Sequence, residues 1–449
     1  MGRNDGLKFY KNFFFLMIPM ALKELVAALV NLLDTVMLGE LGTDVIAASG
    51  IANQWYFLFA VMVFGTCGGA GVFAAQYWGA RNIPNVRKVL GINVILVTAL
   101  SVVFILVSSL APEWIIRIFR KDAAVVELGA KYLRLVCISY LFSGITSAYD
   151  ISLCCSEKVN IPFISRFVGL FVNAFLNWVF IYGKLGAPAM GIEGAAVATI
   201  IARGTELGII LAVVYGKKLV QAAKLSELLT IPRDMIGGYL KASLPVALNE
   251  GAWALGTVTY SWVFSQISTE AMVVITIVQN IERLLLVFFH GGGNAAGIMV
   301  GKLVGADEPK KAYEVSKKLC LMNTVFAFFI SVVFIFLRPL ALVPYNVEPV
   351  VYQSALNLLF LMALIMNVKA LTFFFIVGVF RNGGDPKHAA LIDISSMWFV
   401  GVPLALAAGL WLKLPLEVIY LATMSEELVK LALSAYWFVS KRWIRNLVK

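Results

Sequence analysis

Charge is scarce in this chain. Of 449 residues only 14% are Asp, Glu, Lys or Arg, against roughly 25% in soluble globular proteins. Hydrophobic residues make up 60% and the mean hydropathy is +0.86. An ordinary water-soluble domain is excluded. Histidine is scarcer still, with His290 and His388 alone, which argues against a His-based metal site. The five cysteines, Cys67, Cys137, Cys154, Cys155 and Cys320, form no CxxC pair. Four fall within or at the ends of apolar runs, and Cys154–Cys155 fall at a cytoplasmic helix end where thiols stay reduced, so packing is their expected role. No HExxH, GxSxG, paired-Asp or Walker pattern occurs on any apolar run. That removes the usual membrane-embedded enzymes, and the chain is read as no enzyme, with no cofactor beyond a coupling ion.

Alternating strand patterns are missing too, and open sheets leave backbone groups unsatisfied in lipid. What the chain does have is apolar runs of the ~20 residues that cross a ~30 Å hydrocarbon core as a helix. Twelve are expected, at 13–38, 45–76, 87–110, 126–153, 162–182, 191–215, 235–266, 270–300, 317–337, 351–380, 388–410 and 415–440. The fold class is therefore all-α, polytopic, with twelve transmembrane helices. The first run, beginning FFFLMIPM, lacks a small-residue cleavage site and is read as the first span.

The net charge of +11 is a matter of topology. Lys and Arg cluster in both tails and in the even-numbered loops. The odd-numbered loops hold only Arg117, Arg120, Lys121, Lys184, Arg338 and Lys413. The positive-inside rule then places both termini in the cytoplasm of a multi-pass cell-membrane protein. Clusters such as Lys217–Lys218, Lys310–Lys311 and Lys441–Arg442 read as topology signals and lipid-headgroup contacts, and no nucleic-acid partner is expected.

Two short stretches organise the chain. PMALKE at 19–24 returns as PVALNE at 245–250, 226 residues later, and across 19–80 fifteen of sixty-two positions match at that offset. Pro19 answers Pro245, Glu24 answers Glu250, and Gly65, Gly71 and Gly79 answer Gly291, Gly297 and Gly305. Asn53–Gln54 meets Gln279–Asn280 with the order reversed. A duplicated six-helix unit follows, with 1–215 and 235–449 as bundles and 216–234 as an amphipathic cytoplasmic connector. Because six is even, the repeats enter the membrane in the same sense, a recurrent transporter plan with substrate handled between the halves. The strings GTCGGAG (65–71) and GGGNAAG (291–297) suit close helix packing.

Ionisable groups in apolar runs must face protein or a water-filled cavity. At 1.5 Å per residue Glu24 lies ~16 Å along the first helix from Phe13, and Asp34 ~15 Å further. Asn31 shares the Asp34 face. A kink at Pro19 or Pro245 would free a carbonyl and act as a hinge. Glu24 is adjacent to Lys23, and Glu250 has Arg283 and Lys369 as possible partners, so both carboxylates read either as ion pairs or as cavity groups. Arg203 and Glu206, three apart, are expected to satisfy each other, while Asp150, Arg134 and Lys131 seek partners nearby. Asp34 has no cation within a helical turn and is the stronger coupling candidate. Trp253, Tyr260 and Trp262 flank the Glu250 face, where aromatics suit flat cationic ligands.

NLLDTVMLGELGTDVIAASG (31–50), GAPAMGIEGAAVATIIAR (186–203), GVFRNGGDPKHAALIDISSMWFVGVPLAL (378–406) and the ending VSKRWIRNLVK resemble the multidrug and toxic compound extrusion (MATE) family, with features of two bacterial branches. The resemblance spans essentially the whole chain. It implies two six-helix bundles forming a V that opens alternately to either side, exporting compounds in exchange for Na⁺ or H⁺. Pro19 and Asp34 match the family's first-helix proline and the aspartate fifteen residues on. In one branch a cation site joins that aspartate to two polar residues of the fifth helix and a threonine of the sixth, which are Asn173, Asn177 and Thr199 here. Asn177 stands where that branch often has Asp. Another branch uses acids on the seventh and tenth helices. Glu250 supplies the first, Lys369 lies near the second position, and Asp393 on the eleventh helix is a substitute. Asn31, Gln54, Trp253, Tyr260, Gln279, Asn280, Arg283, Lys369 and Asp393 are the expected substrate-cavity residues. The expected function is a secondary active antiporter for small organic, cationic or amphiphilic compounds, working as a monomer. The alternative is a flippase or exporter of lipid-linked precursors, with Lys369 and Arg283 receiving an anionic group.

Overall fold

The computed structural model describes residues 3–229, 233–345 and 347–449, with the side chains of all of these except 3–7, 225, 229, 233–234 and 269. Among the described residues every regular element is helical. The elements are α1 (Arg3–Gly39), α2 (Thr43–Gly79), α3 (Ile83–Leu110), a short α4 (Pro112–Phe119), α5 (Ala123–Val136), α6 (Ser139–Cys155), α7 (Asn160–Tyr182), α8 (Ile192–Gly216), a one-turn α9 (Leu225–Leu229), α10 (Arg233–Ser265), α11 (Thr269–Gly305) and α12 (Pro309–Leu342). They end with α13 (Pro349–Arg381), α14 (Pro386–Trp411) and α15 (Leu416–Ser440). Counting α5 and α6 as one span, the twelve expected helices are present.

Among the described residues nine helices are long and apolar enough to cross a bilayer. The other three spans fall short for visible reasons. The fourth is broken at Cys137–Ile138. The last carries Glu426, Glu427 and Lys430 within five residues, and α10 places Asn249–Glu250 in its centre. Local chemistry fixes several ends. Asn82 accepts a hydrogen bond from the Asn85 amide to cap α3, Ser268 does the same for α11, and Gly183 (φ +68°) closes α7 in the left-handed conformation that glycine tolerates.

The chain packs as two compact units, and their borders differ from the linear division at 215 and 235. One unit is Leu22–Ala247; the other joins Met1–Ala21 to Leu248–Lys449. The chain thus passes from unit to unit inside α1 and inside α10, two residues beyond Pro19 and Pro245. Each unit has its own apolar core, one built on residues such as Phe59, Leu90, Leu133 and Tyr140, the other on Phe289, Leu358, Met362 and Ile419.

The glycine strings seat the proline segments. A Cβ on Gly65 would lie 2.6 Å from the Ala247 Cα, and one on Gly291 2.7 Å from the Ala21 Cβ. Ala21 and Ala247 are themselves 226 residues apart, so the two notches are the same device used twice. In the first unit Tyr239 of α10 adds a hydrogen bond to the Thr66 carbonyl (2.9 Å).

The connector lies against its own unit. Arg87 donates to the Val220 carbonyl (2.8 Å) and pairs with Glu227 (3.2 Å), and buried Gln221 donates to Ser156 (2.7 Å). Connector residues 230–232 lie outside the described residues. In the second unit the tail after α15 docks through fully buried Trp443 and a 2.7 Å bond from the Arg445 amide to the Gly383 carbonyl. All five cysteines are free thiols.

Candidate functional site

Asp34 sits on the second half of α1 within the Leu22–Ala247 unit. Its Oδ1 accepts a 2.6 Å hydrogen bond from the Asn177 Nδ2 of α7. The same nitrogen lies 3.3 Å from the Asn173 Oδ1, and the Asn173 Nδ2 donates to the Thr199 hydroxyl at 3.4 Å. Asn173 and Asn177 are one helical turn apart, so one face of α7 carries both amides inward. They are 1% and 0% exposed, a burial that an amide tolerates only when bonded. Thr199 in turn donates to the Ala195 carbonyl (2.9 Å) along α8.

Asp34, Asn173 and Thr199 line a cavity together with Asn31, Asn53, Tyr56, Tyr132, Arg203 and Glu206, with Asn177 bonded to Asp34 behind them. Its volume of about 30 Å³ leaves room for water or a small ion. The Arg203 Nη1 lies 3.0 Å from both carboxylate oxygens of Glu206, the pairing expected from their spacing. With that pair neutral, Asp34 is the one uncompensated carboxylate among the lining residues. Hydroxyl, amide and carboxylate oxygens are a hard donor set suited to a proton or a small cation. As arranged, however, Asn177 turns its nitrogen toward Asp34, and its buried Oδ1 has no hydrogen-bond partner.

Deeper in the same unit Asp150 lies between Arg166 (3.6 Å) and Lys23 (4.0 Å), and Lys23 reaches Glu24 (3.6 Å). The ion-pair reading of Glu24 is therefore the one found. Lys131 pairs with Glu127 at 2.8 Å, while Arg134 is exposed.

The other unit corrects two expectations. Glu250 pairs with Arg381 at 2.6 Å, and neither with Arg283 nor with Lys369. Lys369 is held by Glu282 of α11, and Arg283 is exposed, so they do not form a cationic pair for an anionic group. The reason is helical phase: Glu282 and Arg283 are consecutive and point about 100° apart, so one faces the core and the other leaves it. Asp393 accepts from Asn249 (3.0 Å) and pairs with Lys430 (2.7 Å). Tyr260 is buried and donates to Glu426 at 2.6 Å.

Of the expected substrate-cavity residues only Asn31 lines the described cavity. Gln54, Trp253, Asn280 and Arg283 are exposed on their helices, and Gln279 is half-buried. Trp262, at 50% exposure, also points outward. The sequence reading passed over Asn53, Tyr56 and Tyr132 at the cavity, and Arg381, Glu282, Glu426, Glu427 and Lys430 in the second unit. The last three were signalled by MSEELVK inside the final apolar run.

A family model described as MatE matches residues 19–179 and again 245–407. The two matches begin at Pro19 and Pro245. Among curated proteins, the "Probable multidrug resistance protein NorM" of Thermotoga maritima is 24% identical over 442 residues, covering 96% of this chain and 93% of its own. The "Uncharacterized transporter YisQ" of Bacillus subtilis is 25% identical over 422 residues, 92% of this chain and 90% of its own. Among solved structures, a MOP superfamily transporter from Pyrococcus furiosus superposes with a TM-score of 0.88 at 19% identity, over 98% of this chain and 96% of that one. At that identity the likeness speaks for the fold.

Proposed function

The chain belongs to the MatE family, and from that premise we propose that it is a secondary active antiporter. It exports small organic, cationic or amphiphilic compounds across the cell membrane by alternating access, in exchange for a coupling ion bound at Asp34. The observation that carries the reading is the cavity of about 30 Å³ in which Asp34 is the uncompensated carboxylate, hydrogen-bonded to Asn177. A carboxylate so placed takes up one positive charge from one side and releases it to the other.

H⁺ is the better-supported ion. Asn177 presents an N–H to Asp34, and a metal ion there would require the amide to rotate its oxygen inward. The relatives named for multidrug resistance support a broad organic substrate, and the Lys and Arg distribution supports cytoplasmic termini. The flippase alternative rested on Lys369 and Arg283 as an anion receptor, and Glu282 already neutralises Lys369.

The test uses proteoliposomes containing a pH-sensitive dye. A fluorescent organic cation added with an imposed pH gradient should move protons with or without Na⁺. Proton movement without substrate, or substrate movement that ignores every imposed ion gradient, would count against antiport.

A further inference from the structure

Three carboxylates of the second unit share a single cation. The Lys430 Nζ lies 2.7 Å from the Asp393 Oδ1, 3.3 Å from the Glu427 Oε1 and 3.6 Å from the Glu426 Oε1. The second oxygen of each carboxylate is pinned by a neutral donor. Asn249 donates to the Asp393 Oδ2 (3.0 Å), Tyr260 to the Glu426 Oε2 (2.6 Å) and Thr372 to the Glu427 Oε2 (2.5 Å). The donors come from α10 and α13, the carboxylates from α14 and α15. All four charged side chains are buried or nearly so; Lys430 is 5% exposed.

Elsewhere in this unit Glu250 pairs with Arg381 and Glu282 with Lys369, while Asp385 is met by both Arg445 and His388. Among the described residues of this unit only Lys430 is shared by more than one carboxylate, and a buried excess of negative charge is costly without a positive occupant. Asn249, which donates to Asp393, is 1% exposed and its Oδ1 has no hydrogen-bond partner. The 2.7 Å contact with Asp393 is a charge-assisted hydrogen bond of an ammonium, and the 3.3 and 3.6 Å contacts with Glu427 and Glu426 are looser ion pairs.

We propose that the Asp393–Glu426–Glu427 cage is a monovalent-cation site of ammonium class, filled permanently by the tethered ammonium of Lys430. The second unit then carries its own cation and draws none from solution. The site is independent of the antiport reading, because its test measures binding and no transport.

The test is made on purified full-length protein carrying Asp34→Asn, so that the Asp34 cavity adds no response to cations. Melting temperature is compared in choline, potassium and methylammonium chloride. The Asp34→Asn protein should melt alike in all three. Adding Lys430→Ala should lower the melting temperature in choline, and methylammonium should restore it by a few degrees, K⁺ acting in the same direction. Adding Asp393→Asn to that double variant should abolish the restoration. If Lys430→Ala gains no more from methylammonium than from choline, the proposal fails. It also fails if the variant cannot be recovered in any of the salts while Lys430→Ala/Asp393→Asn/Glu427→Gln folds normally, since Lys430 would then be a counter-ion whose place no free cation takes.

Discussion

Replacing Gly65 by alanine isolates the close packing that seats the proline segment of α10. The added Cβ would stand 2.6 Å from the Ala247 Cα and 2.9 Å from its Cβ, where carbon atoms rest at about 3.5–4.0 Å. The obstacle is backbone, so no rotamer change relieves it, and the helices must part by ~1 Å. Overpacking of this kind costs about 1–3 kcal/mol. Alanine also favours a helix over glycine by ~1 kcal/mol, which would mask part of the loss. Gly208 of α8 supplies the control: nothing lies within 4 Å of its Cβ position, so Gly208→Ala receives the helix gain alone. The difference between the two variants should therefore be about 1–3 kcal/mol, Gly65→Ala being the less stable. Thermal unfolding in lipid nanodiscs, followed by tryptophan fluorescence, reads it directly. Gly291→Ala should behave like Gly65→Ala, because the Ala21 Cβ stands 2.7 Å away. If Gly65→Ala melts at or above Gly208→Ala, the seating of Ala247 on Gly65 is not the constraint described.

Lys369→Met leaves Glu282 buried without its cation and should cost about 3–5 kcal/mol, whereas the double variant Lys369→Met/Glu282→Met should recover most of that loss; melting curves of the three proteins decide, and a double variant no better than the single one would contradict the pairing. Trp443→Ala removes a fully buried side chain that holds the tail on the Gly383 loop, with an expected loss of about 3–5 kcal/mol. Limited proteolysis should then cleave residues 441–449 faster than in the parent, and an unchanged cleavage rate would contradict the docking.

The spans were legible because each is a hydropathy run of membrane length. The ninth was expected at 317–337 and occupies Pro309–Leu342, since Lys310, Lys311, Lys317 and Lys318 extend the helix through polar turns that hydropathy does not register. The break at Cys137–Ile138 carries no glycine or proline to announce it. The 226-residue repeat pointed to Pro19 and Pro245 but not to the exchange of chain between units beside them, because hydropathy is blind to which partner a helix finds. Asp34, Asn173, Asn177 and Thr199, drawn from three helices, do meet in one hydrogen-bonded chain, three of them on one cavity, and the family motif brought them together before the fold did. The pairings of Glu250 and Lys369 depend on helical phase across four helices, which spacing along one helix cannot supply.

The measurement closest to the central claim is ion-driven uptake by Asp34→Asn. The asparagine oxygen can still accept the bond from Asn177, so a charge-assisted bond of about 1.5–3 kcal/mol becomes a neutral one of about 0.5–1.5 kcal/mol. The variant should fold and insert. It cannot alternate between charged and neutral forms, so uptake of a fluorescent cation by proteoliposomes under an imposed ion gradient should fall to the level of protein-free vesicles. Gradient-driven uptake at the parent rate by a folded Asp34→Asn protein would contradict the account.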